Sequence, residues 1–124
     1  MPKTILVADD EPYVLRSLEF ILKKEGYRVL TATDGQDALE KIRQELPDLV
    51  FLDIQMPRMD GNTLCQTLRK EPTTRDLRII MITAKGQEAD RLQALESGAD
   101  EFITKPYSPR KLVERVREIL GPSA

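Results

Sequence analysis

Short apolar runs alternate along this chain with segments whose apolar residues recur at helical spacing. Runs such as residues 5–8 and 49–52 contain no polar residue that could face water, which is typical of a strand covered on both faces. A helical stripe follows each of the five runs, so successive strands are joined by helical crossovers. Under the right-handed crossover rule, the pattern predicts an α/β fold: a five-stranded parallel sheet with helices on both faces.

Turn and capping residues mark where most of these elements begin and end. The strands are predicted at residues 5–8, 28–32, 49–52, 79–82 and 102–104. The first helix is predicted over residues 13–24, and apolar stripes within residues 38–46 and 64–68 mark the second and third. The fourth helix has the weakest pattern, with Leu92 and Leu95 before Gly98. In the fifth, Ser108 and Pro109 have the residue types of an N-cap and a first helical residue.

The composition excludes several classes of function. The 124 residues suit one compact domain with its own core, predicted over residues 3–121, with 122–124 as a tail or the start of a linker. The absence of histidine and the presence of a single cysteine exclude the usual zinc sites and any histidine-based nucleophile system. A formal net charge of −2 argues against direct binding of this domain to nucleic acid.

The chain also lacks the patterns of membrane and secreted proteins. No apolar run approaches the roughly 20 residues that span a membrane, and the first residues lack the apolar region of a signal peptide. We therefore expect a cytoplasmic location without membrane contact. Cys65 shares a helical stripe with Leu64 and Leu68, which predicts a buried core residue instead of a redox sensor.

Chemically useful side chains follow four of the five predicted strands. Asp9 and Asp10 come directly after the first strand, and Asp53 follows the third. Thr83 ends the fourth strand, and Lys105 follows the fifth. Ligands of open parallel sheets bind at the edge formed by the carboxyl ends of the strands. These side chains are therefore predicted to form one site.

Three carboxylates at one edge would repel each other and take up protons unless a cation lay between them. Oxygen ligands without His or Cys select Mg²⁺, which also binds phosphate oxygens. Asp9 and Asp10 are adjacent and suit cation binding, whereas Asp53 stands alone and is the predicted nucleophile toward phosphorus, forming an aspartyl phosphate. Charge on the transferred phosphoryl oxygens calls for a hydroxyl and an ammonium, which Thr83 and Lys105 can supply.

The same strand ends carry a set of short motifs. They are Asp9-Asp10; Asp53 followed by Met56-Pro57 and Gly61; Thr83-Ala84; and the stretch from Gly98-Ala99-Asp100 through Lys105-Pro106. In these motifs the chain resembles the receiver domain of two-component response regulators, over about residues 3–120. The resemblance implies a flavodoxin-like, doubly wound three-layer fold with strand order 2-1-3-4-5.

The resemblance also implies a function as a phosphorylation-activated signalling switch. In such domains a sensor histidine kinase or a phosphotransfer protein offers phosphohistidine, and the aspartate at the position of Asp53 accepts the phosphoryl group. Mg²⁺ is then expected to bind Asp9, Asp10, Asp53 and the main-chain carbonyl of Gln55. The only catalysis expected is phosphorylation and dephosphorylation of the domain itself, so it is not expected to be an enzyme. The donor histidine lies on the partner, in agreement with the absence of histidine here.

Further roles follow from the resemblance alone. The Thr83 hydroxyl is expected to move toward the phosphate and Phe102 to turn inward, which remodels the surface of the fourth helix, fifth strand and fifth helix. Gln55 and Lys85 occupy positions that tune the lifetime of the acyl phosphate. Two simpler interpretations stay open: Phe102 as a plain core aromatic and Lys85 as a solvated loop charge.

Partners are predicted only by class. The remodelled surface is expected to control a partner or a C-terminal effector domain. Many regulators of the family that bind DNA dimerise through this surface with opposite charges, but Lys111 stands where those proteins carry an acid, which would weaken such a dimer. We therefore expect a monomer or a weak, phosphorylation-dependent dimer. The charges that match in kind are Arg91, Asp100, Glu101 and Arg115.

Three other functions disagree with features of the sequence. A Mg²⁺-dependent phosphatase would use an aspartyl phosphate too, but Gln55 stands where a second aspartate would serve as general acid. A degenerate receiver that binds partners without phosphorylation disagrees with the intact set of acidic, hydroxyl and ammonium residues. Nucleotide binding by a glycine loop is excluded because neither phosphate-loop motif occurs. The basic residues of the last helix are interpreted as a solvated face, with an electrostatic docking patch as the alternative.

Overall fold

The computed structural model describes residues 2–84, 88–105 and 107–121, in which five strands alternate with five helices. The predicted tail, residues 122–124, lies outside the described residues. All ten predicted elements are present, and the first helix begins one residue before its predicted start. The strands are β1 (Thr4–Ala8), β2 (Arg28–Ala32), β3 (Leu49–Asp53), β4 (Arg78–Ala84) and β5 (Glu101–Lys105). The helices are α1 (Pro12–Lys24), α2 (Gly35–Glu45), α3 (Gly61–Lys70), α4 (Glu88–Glu96) and α5 (Pro109–Leu120).

One sheet contains these strands in the order β2-β1-β3-β4-β5, and every neighbouring pair is parallel. The predicted order is confirmed. The strand order reverses between β1 and β3, the position at which open α/β sheets bind ligands. Because Ala8 pairs with Leu52, the next residues, Asp9 and Asp53, leave the sheet side by side.

Two hydrophobic clusters cover the opposite faces of the sheet. One packs β-strand residues against α2, α3 and α4, and the other packs them against α1 and α5. Alternate residues of β1 divide between them: Leu6 and Ala8 belong to the first, Ile5 and Val7 to the second. Each of these four is fully buried. Burial of a Leu or Ile side chain contributes about 1.5–3 kcal/mol, which explains why residues 5–8 of this strand are all apolar.

Side-chain caps begin three of the helices. Asp34 accepts a hydrogen bond from the Asp37 amide at 2.8 Å and so caps α2. Asp60 caps α3 through the amide of Thr63 at 2.8 Å. Ser108 caps α5, as predicted, with Pro109 as its first residue. Within the described ranges, none of the helices has the length and apolar character needed to cross a bilayer.

The weakest predicted helix, α4, is present, and the two leucines that marked it are exposed. Leu92 and Leu95 are 61% and 45% exposed, so the stripe that indicated the helix does not face the core. Among residues 92–99, whose burial the structure describes, Ala94, Ser97 and Ala99 are buried. Two leucines three residues apart define a helical stripe without showing which side of it faces the sheet, and here the small residues allow close packing.

Gly61 begins α3 at a point where a side chain has no room. A Cβ atom there would lie 2.6 Å from the main-chain oxygen of Asp53 and 3.0 Å from Cα of Ile54. Because these are backbone atoms of the site-bearing strand, we expect Gly61→Ala to lower the free energy of unfolding by about 2–3 kcal/mol. Urea denaturation measures the change.

Gln66→Ala is the control. Gln66 is an exposed residue of the same helix, so its truncation should change the free energy of unfolding by less than about 0.5 kcal/mol. A loss for Gly61→Ala no larger than that of the control would contradict the steric account.

Candidate functional site

The five side chains predicted from the strand ends come from four parallel strands that end at one edge of the sheet. Asp9 and Asp10 follow β1, and Asp53 is the last residue of β3. Thr83 lies near the end of β4 beside Thr104, and Lys105 ends β5. The parallel register therefore gathers at one edge residues that are up to 96 positions apart in the chain, since Asp9 and Lys105 are in contact.

Asp53 lies where a ligand can reach it. The residue is 7% exposed and lines an open pocket of about 250 Å³. Its Oδ1 accepts a hydrogen bond from the Gln55 amide at 3.0 Å, and its Oδ2 accepts one from Lys105 Nζ at 3.0 Å. The carboxylate is thus oriented on both sides without being sealed inside the protein. The pocket is lined by Asp10, Glu11, Asp53, Ile54, Gln55, Ile82 and Lys105.

Asp9 is the buried member of the acidic pair. Its residue has no exposed surface, and its Oδ1 accepts a hydrogen bond from the Glu11 amide at 2.9 Å. Its Oδ2 is buried and accepts no hydrogen bond within the described residues. Burial raises the pKa of Asp9 from 3.8 to about 6, against the lowering effects of the Glu11 amide and the Lys105 charge. The negative charge of Asp53 adds to the increase.

Lys105 is the cation that these carboxylates share. Its Nζ lies 3.0 Å from Asp53 Oδ2, 3.3 Å from Asp9 Oδ2 and 3.4 Å from Glu11 Oε1. Burial by itself would lower the pKa of this ammonium group. The hydrogen bond with Asp53 and the charges of Asp53 and Asp9 have the larger combined effect, so the pKa of Lys105 is raised above its usual value.

The carboxylates form a cluster that fits a hard divalent cation. One oxygen from each of the four residues lies within 4.8 Å of the others. The donors are all oxygen, and the buried Oδ2 of Asp9, which lies 3.3 Å from Lys105 Nζ, accepts no hydrogen bond among the described residues and could serve as a ligand for a cation. Glu11 was not predicted. The cluster consists of Asp9, Asp10, Glu11 and Asp53.

Thr83 and Phe102, the two predicted switch residues, lie on β4 and β5. Thr83 is 4% exposed, and its hydroxyl donates a hydrogen bond of 3.4 Å to the main-chain oxygen of Ile103 on β5. Contact with a group on Asp53 would require this hydroxyl to change partners. Phe102 is half-buried and packs against the core cluster on the side of α2, α3 and α4. Lys85, a predicted lifetime residue, lies outside the described residues, as does Pro106.

Several charges on the predicted dimer surface already pair within the chain. Arg115 donates two hydrogen bonds to Glu101, at 2.7 and 2.5 Å. Asp100 accepts hydrogen bonds from Arg69 and from the Ile79 amide. A dimer that used these charges would have to exchange internal partners for external ones. Cys65 is fully buried, as predicted, and burial raises the pKa of its thiol.

Comparison with known sequences identifies the family of this arrangement. A family model described as the response regulator receiver domain matches residues 5–117. The chain is 45% identical over 123 residues to the alkaline phosphatase synthesis transcriptional regulatory protein PhoP of Bacillus subtilis, covering 99% of this chain and 50% of that protein. It is 47% identical over 116 residues to the probable transcriptional regulator ycf27 of Guillardia theta, covering 94% and 44%. The chain thus spans about half the length of the curated relatives it matches.

Solved structures give the same result for the fold. A putative response regulator from Chloroflexus aurantiacus superposes with a TM-score of 0.92 at 40% identity, covering 97% of this chain and 98% of that one. The chemotaxis response regulator CheY4 of Vibrio cholerae superposes with a TM-score of 0.89 at 26% identity, covering 97% and 100%. Both confirm the predicted flavodoxin-like architecture along nearly the whole chain.

The buried charge of Asp9 generates a prediction about stability and pH. Since the folded state raises the pKa of Asp9 to about 6, the folded protein binds this proton more tightly than the unfolded chain does. The contribution of Asp9 to the free energy of unfolding should therefore fall as pH rises from about 4 through 6. Two pKa units correspond to at most about 3 kcal/mol. Without metal ions, Asp9→Asn should then stabilise the protein at pH 7 and have less effect at pH 4.

Urea denaturation in the presence of a chelator, repeated from pH 4 to pH 7.5, measures this dependence. Asp10→Asn, which removes an exposed carboxylate from the same turn, is the control and should change the profile little. An Asp9→Asn variant that is less stable than the parent at pH 7 would contradict the conclusion that the buried charge of Asp9 destabilises the folded state.

Proposed function

Because the chain belongs to the response regulator receiver domain family of two-component systems, we propose that it is a switch controlled by phosphorylation of Asp53. The observation that carries the proposal is the position of this carboxylate. It lines an open pocket beside a cluster of acidic side chains, with a lysine ammonium 3.0 Å away. The proposed donor is the phosphohistidine of a sensor histidine kinase or phosphotransfer protein.

The chemistry of the transfer follows from these contacts. An oxygen of the Asp53 carboxylate attacks phosphorus, and a new P–O bond forms as the P–N bond of phosphohistidine breaks. The electron pair of the broken bond returns to the imidazole of the donor. Lys105 already donates a hydrogen bond to Asp53, and it can donate instead to the phosphoryl oxygens, where it stabilises their negative charge. The hydrogen bond from the Gln55 amide keeps the carboxylate oriented.

The acidic cluster supports Mg²⁺ as the cofactor. We assign its ligands to Asp9, Asp10, Asp53 and the main-chain carbonyl of Gln55, the last from the family resemblance. When bound, the ion neutralises carboxylate charge and coordinates a phosphoryl oxygen. Asp9 supplies a buried oxygen that accepts no hydrogen bond in the described structure and lies 3.3 Å from Lys105 Nζ. Glu11 lies at the pocket mouth and pairs with Lys105, so it holds the ammonium near the cluster before transfer.

The output is proposed to start at Thr83. Its hydroxyl now contacts the backbone of β5, and a phosphoryl group on Asp53 offers it charged acceptor oxygens instead. Exchange of that contact would free the Ile103 carbonyl and favour a second packing of β5, with Phe102 turning inward. The surface of α4, β5 and α5 is therefore the proposed site of partner control.

Other features bear on the donor, the location and the output of the proposed switch. The given sequence contains no histidine, which supports a phosphohistidine supplied by a partner. The proposed catalysis is limited to phosphorylation and dephosphorylation of the domain itself. The buried, unpaired Cys65 suits a reducing cytoplasm. The relatives named as transcriptional regulators are about twice as long as this chain, so we propose an effector domain or separate partner as the recipient of the signal.

Incubation with Mg²⁺ and phosphoramidate or acetyl phosphate, followed by intact-mass analysis, tests the proposal. The parent should gain the mass of one phosphoryl group, and Asp53→Asn should gain none because the acceptor oxygen is missing. Asp60→Asn is the matched control: Asp60 begins the neighbouring helix, and asparagine keeps the capping oxygen. A parent without an adduct, or an adduct that persists in Asp53→Asn, would overturn the assignment. Repeated turnover of unrelated phosphate esters would favour a phosphatase.

Calorimetric titration with Mg²⁺ tests the cofactor separately. We expect Asp10→Asn to weaken Mg²⁺ binding by about tenfold or more, because it removes one charged ligand. Asp76→Asn removes a carboxylate that is 95% exposed and outside the cluster, and should bind like the parent. Equal affinities in the two variants would remove Asp10 from the metal site.

A further inference from the structure

Two loops at the site edge of the sheet are joined by an ion pair. The β3–α3 loop, residues 54–60, leads away from Asp53, and Asp34 lies in the β2–α2 turn. Arg58 Nη1 donates a hydrogen bond of 2.5 Å to Asp34 Oδ2. The other Asp34 oxygen caps α2, so this carboxylate is engaged on both sides. Its residue is 6% exposed, whereas the Arg58 side chain is 71% exposed.

Close backbone packing reinforces the same contact. The Gly35 amide donates to the main-chain oxygen of Pro57 at 3.3 Å. A Cβ atom on Gly35 would lie only 1.9 Å from the main-chain oxygen of Met59, so any side chain here would push the loop outward. The β3–α3 loop therefore packs directly against the start of α2.

The opposite end of the loop is tied to the phosphoacceptor strand. The Gly61 amide donates to the main-chain oxygen of Ile54 at 2.8 Å, which closes the loop at its base. Between these ties, the Gln55 amide donates to Asp53 Oδ1 at 3.0 Å. A shift of the loop would thus be transmitted to the orientation of the Asp53 carboxylate and to Gln55 at the pocket wall.

Arg58 has a conformation that needs an external stabilising contact. Its φ is +68°, and Leu46 is the one other non-glycine residue with positive φ in the described part of the chain. Such backbone geometry is unfavourable for a residue with a side chain and persists where its surroundings hold it. The ion pair to Asp34 supplies that restraint next to the site.

We propose that Asp34 and Arg58 are positioning residues, which hold the β3–α3 loop so that Asp53 and Gln55 are set for Mg²⁺ binding and phosphoryl acceptance. The inference rests on the proposed function and deepens it, because it assigns the pair to the same site. An exposed arginine contributes little to global stability. Loss of the pair should therefore change metal affinity more than stability, which distinguishes a positioning role from a structural one.

Arg58→Gly tests the proposal with little strain of its own, since glycine accepts positive φ while losing the ion pair. We expect Mg²⁺ affinity by calorimetry to fall about tenfold, the lower end of the effect of outer-shell partners, with an unchanged midpoint of urea unfolding. Asp34→Asn keeps a capping oxygen, removes the charge and should weaken Mg²⁺ binding similarly. Arg58→Lys keeps the positive charge and should recover part of the loss.

The matched control is Arg43→Ala, which removes another arginine–carboxylate pair with a 2.5 Å contact, to Glu71 between α2 and α3. It should bind Mg²⁺ within twofold of the parent. Parent-like affinity in Arg58→Gly or in Asp34→Asn would overturn the inference while leaving the proposed function intact. A parent that binds no Mg²⁺ would overturn both. A loss in Arg58→Gly that merely tracks a lowered unfolding midpoint would also overturn the positioning role.

Discussion

One ammonium group balances the acidic edge of this sheet. Lys105 Nζ lies within 3.4 Å of carboxylate oxygens from Asp53, Asp9 and Glu11. Burial of Asp9 raises its pKa, and repulsion from the nearby carboxylate of Asp53 raises it further. A single lysine leaves the cluster with excess negative charge. We propose that this excess attracts a divalent cation and, through the cation, a phosphoryl group.

The strand register brings these charged side chains together at one site. Asp9 and Asp53 emerge together because Ala8 pairs with Leu52, and Thr83 and Lys105 lie on neighbouring strands for the same reason. The two core clusters hold the strands rigidly from both faces. The main chain of Asp9 and Asp53 is therefore held in place, so separation of the strands cannot relieve the repulsion, whereas the Lys105 ammonium, proton uptake or a bound cation can. The proposed phosphorylation switch would use this arrangement.

The fold could be predicted from sequence because β-α repeats follow from two periodicities and one crossover rule. The main site residues could be predicted because each stands at a strand end, where topology alone brings them together. Glu11 was missed since its place before Pro12 is equally that of a residue at a helix start. The face of α4 that packs on the sheet could not be predicted because Leu92 and Leu95 mark a helical stripe without showing which side of it faces the core. The partner of the Thr83 hydroxyl and the left-handed backbone of Arg58 depend on tertiary contacts that no local pattern encodes.

A crystal structure of the protein with Mg²⁺ and beryllium fluoride, a mimic of the phosphoryl group, tests the central claim most directly. The account predicts the fluoride adduct on an Asp53 carboxylate oxygen, Mg²⁺ among Asp9, Asp10 and Asp53, and contacts from Lys105 and Thr83 to the fluorine atoms. Mg²⁺ bound elsewhere, or an adduct on another carboxylate while Asp53 keeps its lysine, would contradict it.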